Sequence, residues 1–189
     1  LEVAFPMPGG FSPIFAPIII SGYVFGGRFG YLMGTFTLLT SGLITGGVGP
    51  WLPYQMFTAG WAGLTAGWLR KIPTLGDRPS QSHQNPEFGP WRLGVLAVFG
   101  FTWGLLYGVI VNVYFWPFAA GPVAQSWAPG IGLGETLSRY ALFYAVTSLT
   151  WDLLRGAGNV LLILLLGAPM VKTLTRFRRR FAFEVNSYA

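Results

Sequence analysis

The feature that most constrains this chain is the stretch 151–181. An uninterrupted apolar run, residues 160–166, is entered through Asp152, Arg155 and Asn159 and left through Gly167, Ala168 and Pro169 into Lys172, Arg176, Arg178, Arg179 and Arg180. A hydrophobic helix that opens on one acid, one base and one amide and closes on clustered positive charge reads as a membrane span with two different ends. The bias of basic residues toward the cytoplasm places its C-terminal end inside the cell. Asp152, Arg155 and Asn159 are spaced i, i+3 and i+7, so on a helix they share one face. Charges at that depth need a partner or a watery cavity. Two readings of the face follow: an Asp152–Arg155 pair that fixes helix packing, or the polar wall of a ligand pocket.

The rest of the chain fits the bilayer reading. Of 189 residues, 52% are hydrophobic and only 10% charged, far from the balance of a soluble domain. The expected fold is an all-α integral membrane protein, one compact helical bundle covering 1–189 as a single domain. A formal charge of +6 would suggest nucleic acid in a soluble protein, but here the bases cluster between spans and at the C-terminus, so lipid rather than nucleic acid is the expected partner. Cysteine is absent, which excludes disulfides and thiolate metal sites. Residues 1–6 resemble the tail of an apolar segment, and an earlier span or targeting segment is expected upstream.

Five spans are visible, at approximately 11–26, 29–46, 51–69, 92–117 and 137–168, followed by a basic tail at 170–189. The first carries Pro13 and Pro17 and can cross if bent. In the second, Gly30, Gly34 and Gly42 allow close helix packing. The third opens on Trp51, Tyr54 and Gln55. These are either interfacial anchors or the entrance of a site where the rings stack a flat ligand and the amide supplies a donor and an acceptor. The linker 70–91 is hydrophilic and holds the only histidine, His83, which lacks neighbours at metal-ligand spacing and receives no role. The fourth span ends on Asn112 and Trp116, Asn112 being an interhelical bond or a pocket group. The Gly/Pro-rich stretch 117–133 suits a short external lid, and the last helix is expected to be long, or kinked near Gly156.

Enzyme signatures are missing. The chain has no Gly-x-Ser-x-Gly, no His-Glu-x-x-His, no phosphate loop and no Glu/His set for metals, so no catalytic residue, metal or cofactor is assigned. An intramembrane enzyme would have to rest on Asp152 alone as acid or base.

Pro-Gly-Gly-Phe-Ser-Pro at 8–13, Gly-Gly-Val-Gly-Pro-Trp-Leu-Pro-Tyr-Gln-Met at 46–56, Ala-Gly-Trp-Ala-Gly-Leu at 59–64 and Asp-Leu-Leu-Arg-Gly-Ala-Gly-Asn at 152–159, followed by Leu-Gly-Ala-Pro at 166–169, resemble the substrate-specific (S) component of energy-coupling factor (ECF) vitamin transporters. The resemblance implies a six-helix protein of the cell membrane, its first helix truncated here, that binds a vitamin or related micronutrient from outside. A separate transmembrane coupling subunit and two ATPases would then drive uptake. It also implies a pocket at the outer ends of the later helices, carried onto Trp51, Tyr54, Gln55, Asn112, Trp116, Asp152, Arg155 and Asn159. The family's first helix typically carries a small-residue docking motif; that helix is expected to be represented here only by residues 1–6, where the motif is not legible. The competing expectation is a structural subunit of another membrane complex, without small-molecule transport.

The charge bias of the short loops makes the topology testable. A reporter fused after Ala189 or inserted at Gln81 is expected on the cytoplasmic side, and one at Gln125 outside. A cytoplasmic signal at Gln125 overturns the orientation.

Overall fold

Glycine and proline punctuate the chain into helices. The computed structural model describes residues 13–72 and 88–180, and its elements are helical: α1 (Phe15–Phe25), α2 (Gly27–Thr45), α3 (Leu52–Leu69), α4 (Pro90–Phe115), α5 (Leu133–Thr147) and α6 (Leu149–Arg180), with two single 3-10 turns between α4 and α5. The expected truncated span at 1–6, the linker residues Arg78 and His83, and the tail at 181–189 lie outside the described residues. Pro17 falls in the first turn of α1, where a missing N–H costs no helical bond. Gly26 alone separates α1 from α2. Its φ of 101° and ψ of 165° are open to glycine and to almost nothing else. Gly46 ends α2 in the left-handed conformation, its φ 70°, as a helix-terminating glycine commonly does.

Two helix pairs enclose α1. α2 packs against α3, α4 against α6, and α1 lies between the pairs, touching all four. It is buried on every side, with Ile18, Ile19 and Ile20 fully inaccessible. A helix apolar all round belongs in an interior. The chain runs up and down: Phe15 meets Tyr107 at one end of the bundle, while Tyr23 meets Arg92 at the other.

Both pairs close on glycine. A Cβ on Gly63 would meet the backbone of Gly30, one on Gly30 would meet the backbones of Gly63 and Gly22, and one on Gly67 would meet Gly27. Three helices therefore cross backbone to backbone around Gly22, Gly30 and Gly63. Between α4 and α6 the same device recurs antiparallel, Gly104 lying against Gly156, with Gly100 opposite Asn159 and Ile163 and Gly108 opposite Asp152. Small residues four apart create this approach, which side chains on both partners would forbid.

The last expected span is corrected. Instead of one segment over 137–168, the chain breaks at Ser148 and forms two helices. Thr147 turns its hydroxyl back to the Phe143 carbonyl, 2.7 Å away, and Ser148 leaves helical geometry at φ −129°. Such hydroxyl residues offer the backbone an alternative to the helical ladder. α6 then continues without interruption past Gly156 and through Pro169 to Arg180, so the basic residues 172–180 belong to the helix rather than to a separate tail. Among the described residues, two elements are long and apolar enough to cross a membrane, Pro90–Phe118 and Leu149–Arg180. At 11 residues, α1 is about 16 Å long, short of a bilayer core of about 30 Å.

The glycine crossing predicts an asymmetric mutational response. Gly63→Ala is expected to lower thermal stability in detergent by about 1–3 kcal/mol, the usual cost of overpacking. Gly94, whose Cβ would enter open space, is the control, and Gly94→Ala should be neutral or stabilising by about 0.5–1 kcal/mol.

Candidate functional site

The polar face of α6 is pressed against the glycine stripe of α4. Gly100, Gly104 and Gly108 recur every four residues, so one side of α4 is bare backbone, and Asp152, Gly156 and Asn159 of α6 sink into it. A Cβ on Gly108 would overlap the Asp152 carboxylate. Asp152 is 2% exposed and Asn159 wholly buried.

Each polar group has partners, and all three retain unmet capacity. Arg155 donates to Oδ1 of Asp152, as the i, i+3 spacing allows, and its guanidinium lies over the Tyr107 ring at 5.1 Å. That stack supplies a second attraction for the cation. The Tyr144 hydroxyl of α5 approaches the same carboxylate, yet Oδ2 of Asp152 and Nε of Arg155 close no hydrogen bond of normal geometry. Asn159 donates from Nδ2 to the Gly100 carbonyl at 2.9 Å, while its Oδ1 stays without a partner. Buried polar atoms left open in this way are uncommon in native proteins.

α5 closes this region from one side. Tyr140 donates to the Val109 carbonyl and Tyr144 to that of Leu105, so two hydroxyls four residues apart grip consecutive turns of α4. Arg139 pairs with Glu135 and also donates to the Ser126 carbonyl, tying α5 to the connection before it.

An aromatic cluster stands beyond the ion pair, where α3 begins and α4 ends. Tyr54 faces Tyr114 at 4.7 Å and Trp51 faces Phe115 at 6.3 Å. The Trp51 indole donates to the Gly47 carbonyl. Trp116 is buried against Tyr140, its indole donating to the Gln125 carbonyl at 2.9 Å. Gln55 and Asn112 are half-buried. The structure thus gathers Trp51, Tyr54, Gln55, Asn112 and Trp116 at one end of the bundle. Asp152 and Arg155 lie just inside it, and Asn159 lies deeper, two helical turns below Asp152 and committed to the α4 backbone.

Sequence reasoning missed Tyr107 and Tyr144 as neighbours of the charged pair, and it missed the stripe that receives it. The repeat Gly100, Gly104, Gly108 was the available signal, because small residues four apart mark the side of a helix that accepts a close partner. Nothing local marked Tyr144, which approaches Asp152 across the break at Ser148. Among the described residues no group of three or more His, Cys, Asp or Glu could hold a metal ion. Compared with family models, with curated proteins and with solved structures, the chain finds no match in any of the three.

Asn159→Ala is expected to lower stability by about 1–3 kcal/mol, since it removes a buried hydrogen bond between helices. Thermal denaturation in detergent measures this directly. An unchanged midpoint would show that the Gly100 bond contributes nothing to holding α4 and α6 together.

Proposed function

We propose that this protein is the substrate-binding membrane component of an ECF-type importer, taking up a vitamin or related micronutrient. One observation supports the reading above the others: the buried Asp152–Arg155 pair leaves polar capacity unmet, above all on Nε of Arg155, toward the end of the bundle that gathers tryptophan and tyrosine side chains. A small molecule with a flat ring and adjacent donor and acceptor groups would use both features, the rings by stacking and the pair by hydrogen bonding. The helical architecture, with two elements among the described residues long and apolar enough to cross a bilayer, supports a component of the cell membrane, and the basic C-terminal turns of α6 support an inside C-terminus. On this reading a separate coupling subunit and two ATPases drive accumulation, in keeping with the lack of a phosphate-binding loop in these residues.

A second reading has its own support. The bond from Asn159 to the Gly100 carbonyl and the seat of Asp152 on Gly108 are what a purely structural subunit would use to lock two helices, because polar side chains hydrogen-bond across packed membrane helices.

The readings part on ligand binding. Protein purified from its native membrane is expected to carry a small molecule detectable by mass spectrometry. Arg155→Lys keeps the charge balance of the buried pair but loses the planar fork, and it should weaken affinity for that molecule by roughly tenfold or more, the equivalent of about 1.4 kcal/mol, while the protein still folds. Unchanged affinity in both Arg155→Lys and Asp152→Asn would remove this pair from the site. Uphill uptake by the isolated chain in vesicles would count against the importer assignment.

A further inference from the structure

Among the described residues, the two ends of the bundle differ in charge. At the end holding the aromatic cluster, Arg139 pairs with Glu135 and Arg155 with Asp152, so those four residues cancel. The formal charge of +6 therefore belongs to the opposite end together with the segments outside the described residues. Three helix ends converge there on the α1–α2 turn: Gly67 of α3 lies on Gly27, Arg92 of α4 donates to the Tyr23 hydroxyl at 3.0 Å, and Arg178 of α6 donates to the Val24 carbonyl at 2.8 Å. These contacts bring Arg28, Arg70, Lys71, Lys172, Arg176 and Arg180 to one end, all of them exposed. Lys172, Arg176 and Arg180 are spaced four apart, so they form one stripe along the end of α6.

The surroundings of this charge identify what it meets. Residues 149–168 of α6 alone reach about 30 Å, the hydrocarbon thickness of a bilayer, and the exposed side chains there include Leu161, Leu164, Leu165 and Leu166. The basic turns come immediately after that length. Trp68 and Trp91, 58% and 56% exposed, stand at the same end, and tryptophan favours the headgroup level of a membrane. An apolar wall, then tryptophan, then bases is the order of a surface that passes from acyl chain to headgroup. A nucleic acid or an acidic protein would have no use for the leucines that lead up to it.

We propose that the basic end is a binding surface for anionic phospholipid headgroups, which hold the C-terminal turns of α6 against the α1–α2 turn. The proposal rests on the membrane location in the reading above and is independent of the transported molecule. Each lipid phosphate would be shared among bases from different helices, so bound lipid ties the two helix pairs together where their ends meet.

The test uses the purified full chain, delipidated in neutral detergent, and follows its thermal midpoint while phosphatidylglycerol or phosphatidylcholine is added. Phosphatidylglycerol is expected to raise the midpoint, phosphatidylcholine to leave it unchanged, and high salt to reduce the difference. The variant Arg28→Gln/Arg70→Gln/Lys71→Gln/Arg176→Gln should lose at least about tenfold in preference for phosphatidylglycerol, whereas Arg139→Gln at the far end should keep it. Equal stabilisation by inorganic phosphate or by polyglutamate would overturn the lipid as the occupant, and so would an undiminished preference in the fourfold variant. Vesicle flotation separates the premises. A chain that floats with vesicles yet shows no lipid preference defeats this proposal alone, and a chain that floats with neither composition defeats the membrane reading beneath it.

Discussion

Backbone-to-backbone contact at glycine is the constraint on which the rest of the structure depends. Where Gly22, Gly30 and Gly63 meet, three helices approach more closely than any side chain would permit, and Gly104 against Gly156 repeats the arrangement in the second pair. Close approach multiplies dispersion contacts between helices. In a bilayer these matter more than usual, because lipid tails are as apolar as leucine and hydrophobicity alone does not press helices together. α1 can be short and apolar on all sides because two such pairs enclose it.

The same stripe that admits α6 determines the condition of its polar residues. Gly108 leaves room for the Asp152 carboxylate beside the α4 backbone, and Gly100 leaves its carbonyl open to Asn159. With alanine at these positions α6 would stand off and its charged face would need another shelter. The ion pair is therefore a consequence of packing as much as of sequence spacing. Breaking a buried pair by removing one partner costs far more than the pair is worth intact, so a site built on Asp152 and Arg155 is tied to the stability of the α4–α6 contact.

Charge is segregated along the bundle as strictly as volume is. Paired, locally neutral groups occupy the aromatic end, and exposed bases occupy the other, where Arg92 and Arg178 are drawn inward to Tyr23 and Val24. Those two arginines join α4 and α6 to the α1–α2 turn, so one residue type supplies both the internal clasp and the outward surface.

Much of the fold was legible in the residues themselves. Helical class, the breaks at Gly26 and at 46–50, and the bounds of the third helix follow from apolar length and from where glycine and proline stand, which are local properties. The shared face of Asp152, Arg155 and Asn159 follows from helical period. The break at Ser148 was not legible, because a Thr-Ser pair does not always interrupt a helix; here the Thr147 hydroxyl bonds back to the Phe143 carbonyl and lies beside the Ser148 hydroxyl. Nor was the passage through Pro169, since a proline ends a helix or is carried through it according to what surrounds the freed carbonyl. Which group lies opposite each polar residue was decided by tertiary structure alone. Gly100 beneath Asn159, Tyr107 beneath Arg155 and Tyr144 beside Asp152 are brought together by the antiparallel register of α4 and α6 and by the break between α5 and α6, and that register is set where bare glycine backbones can meet.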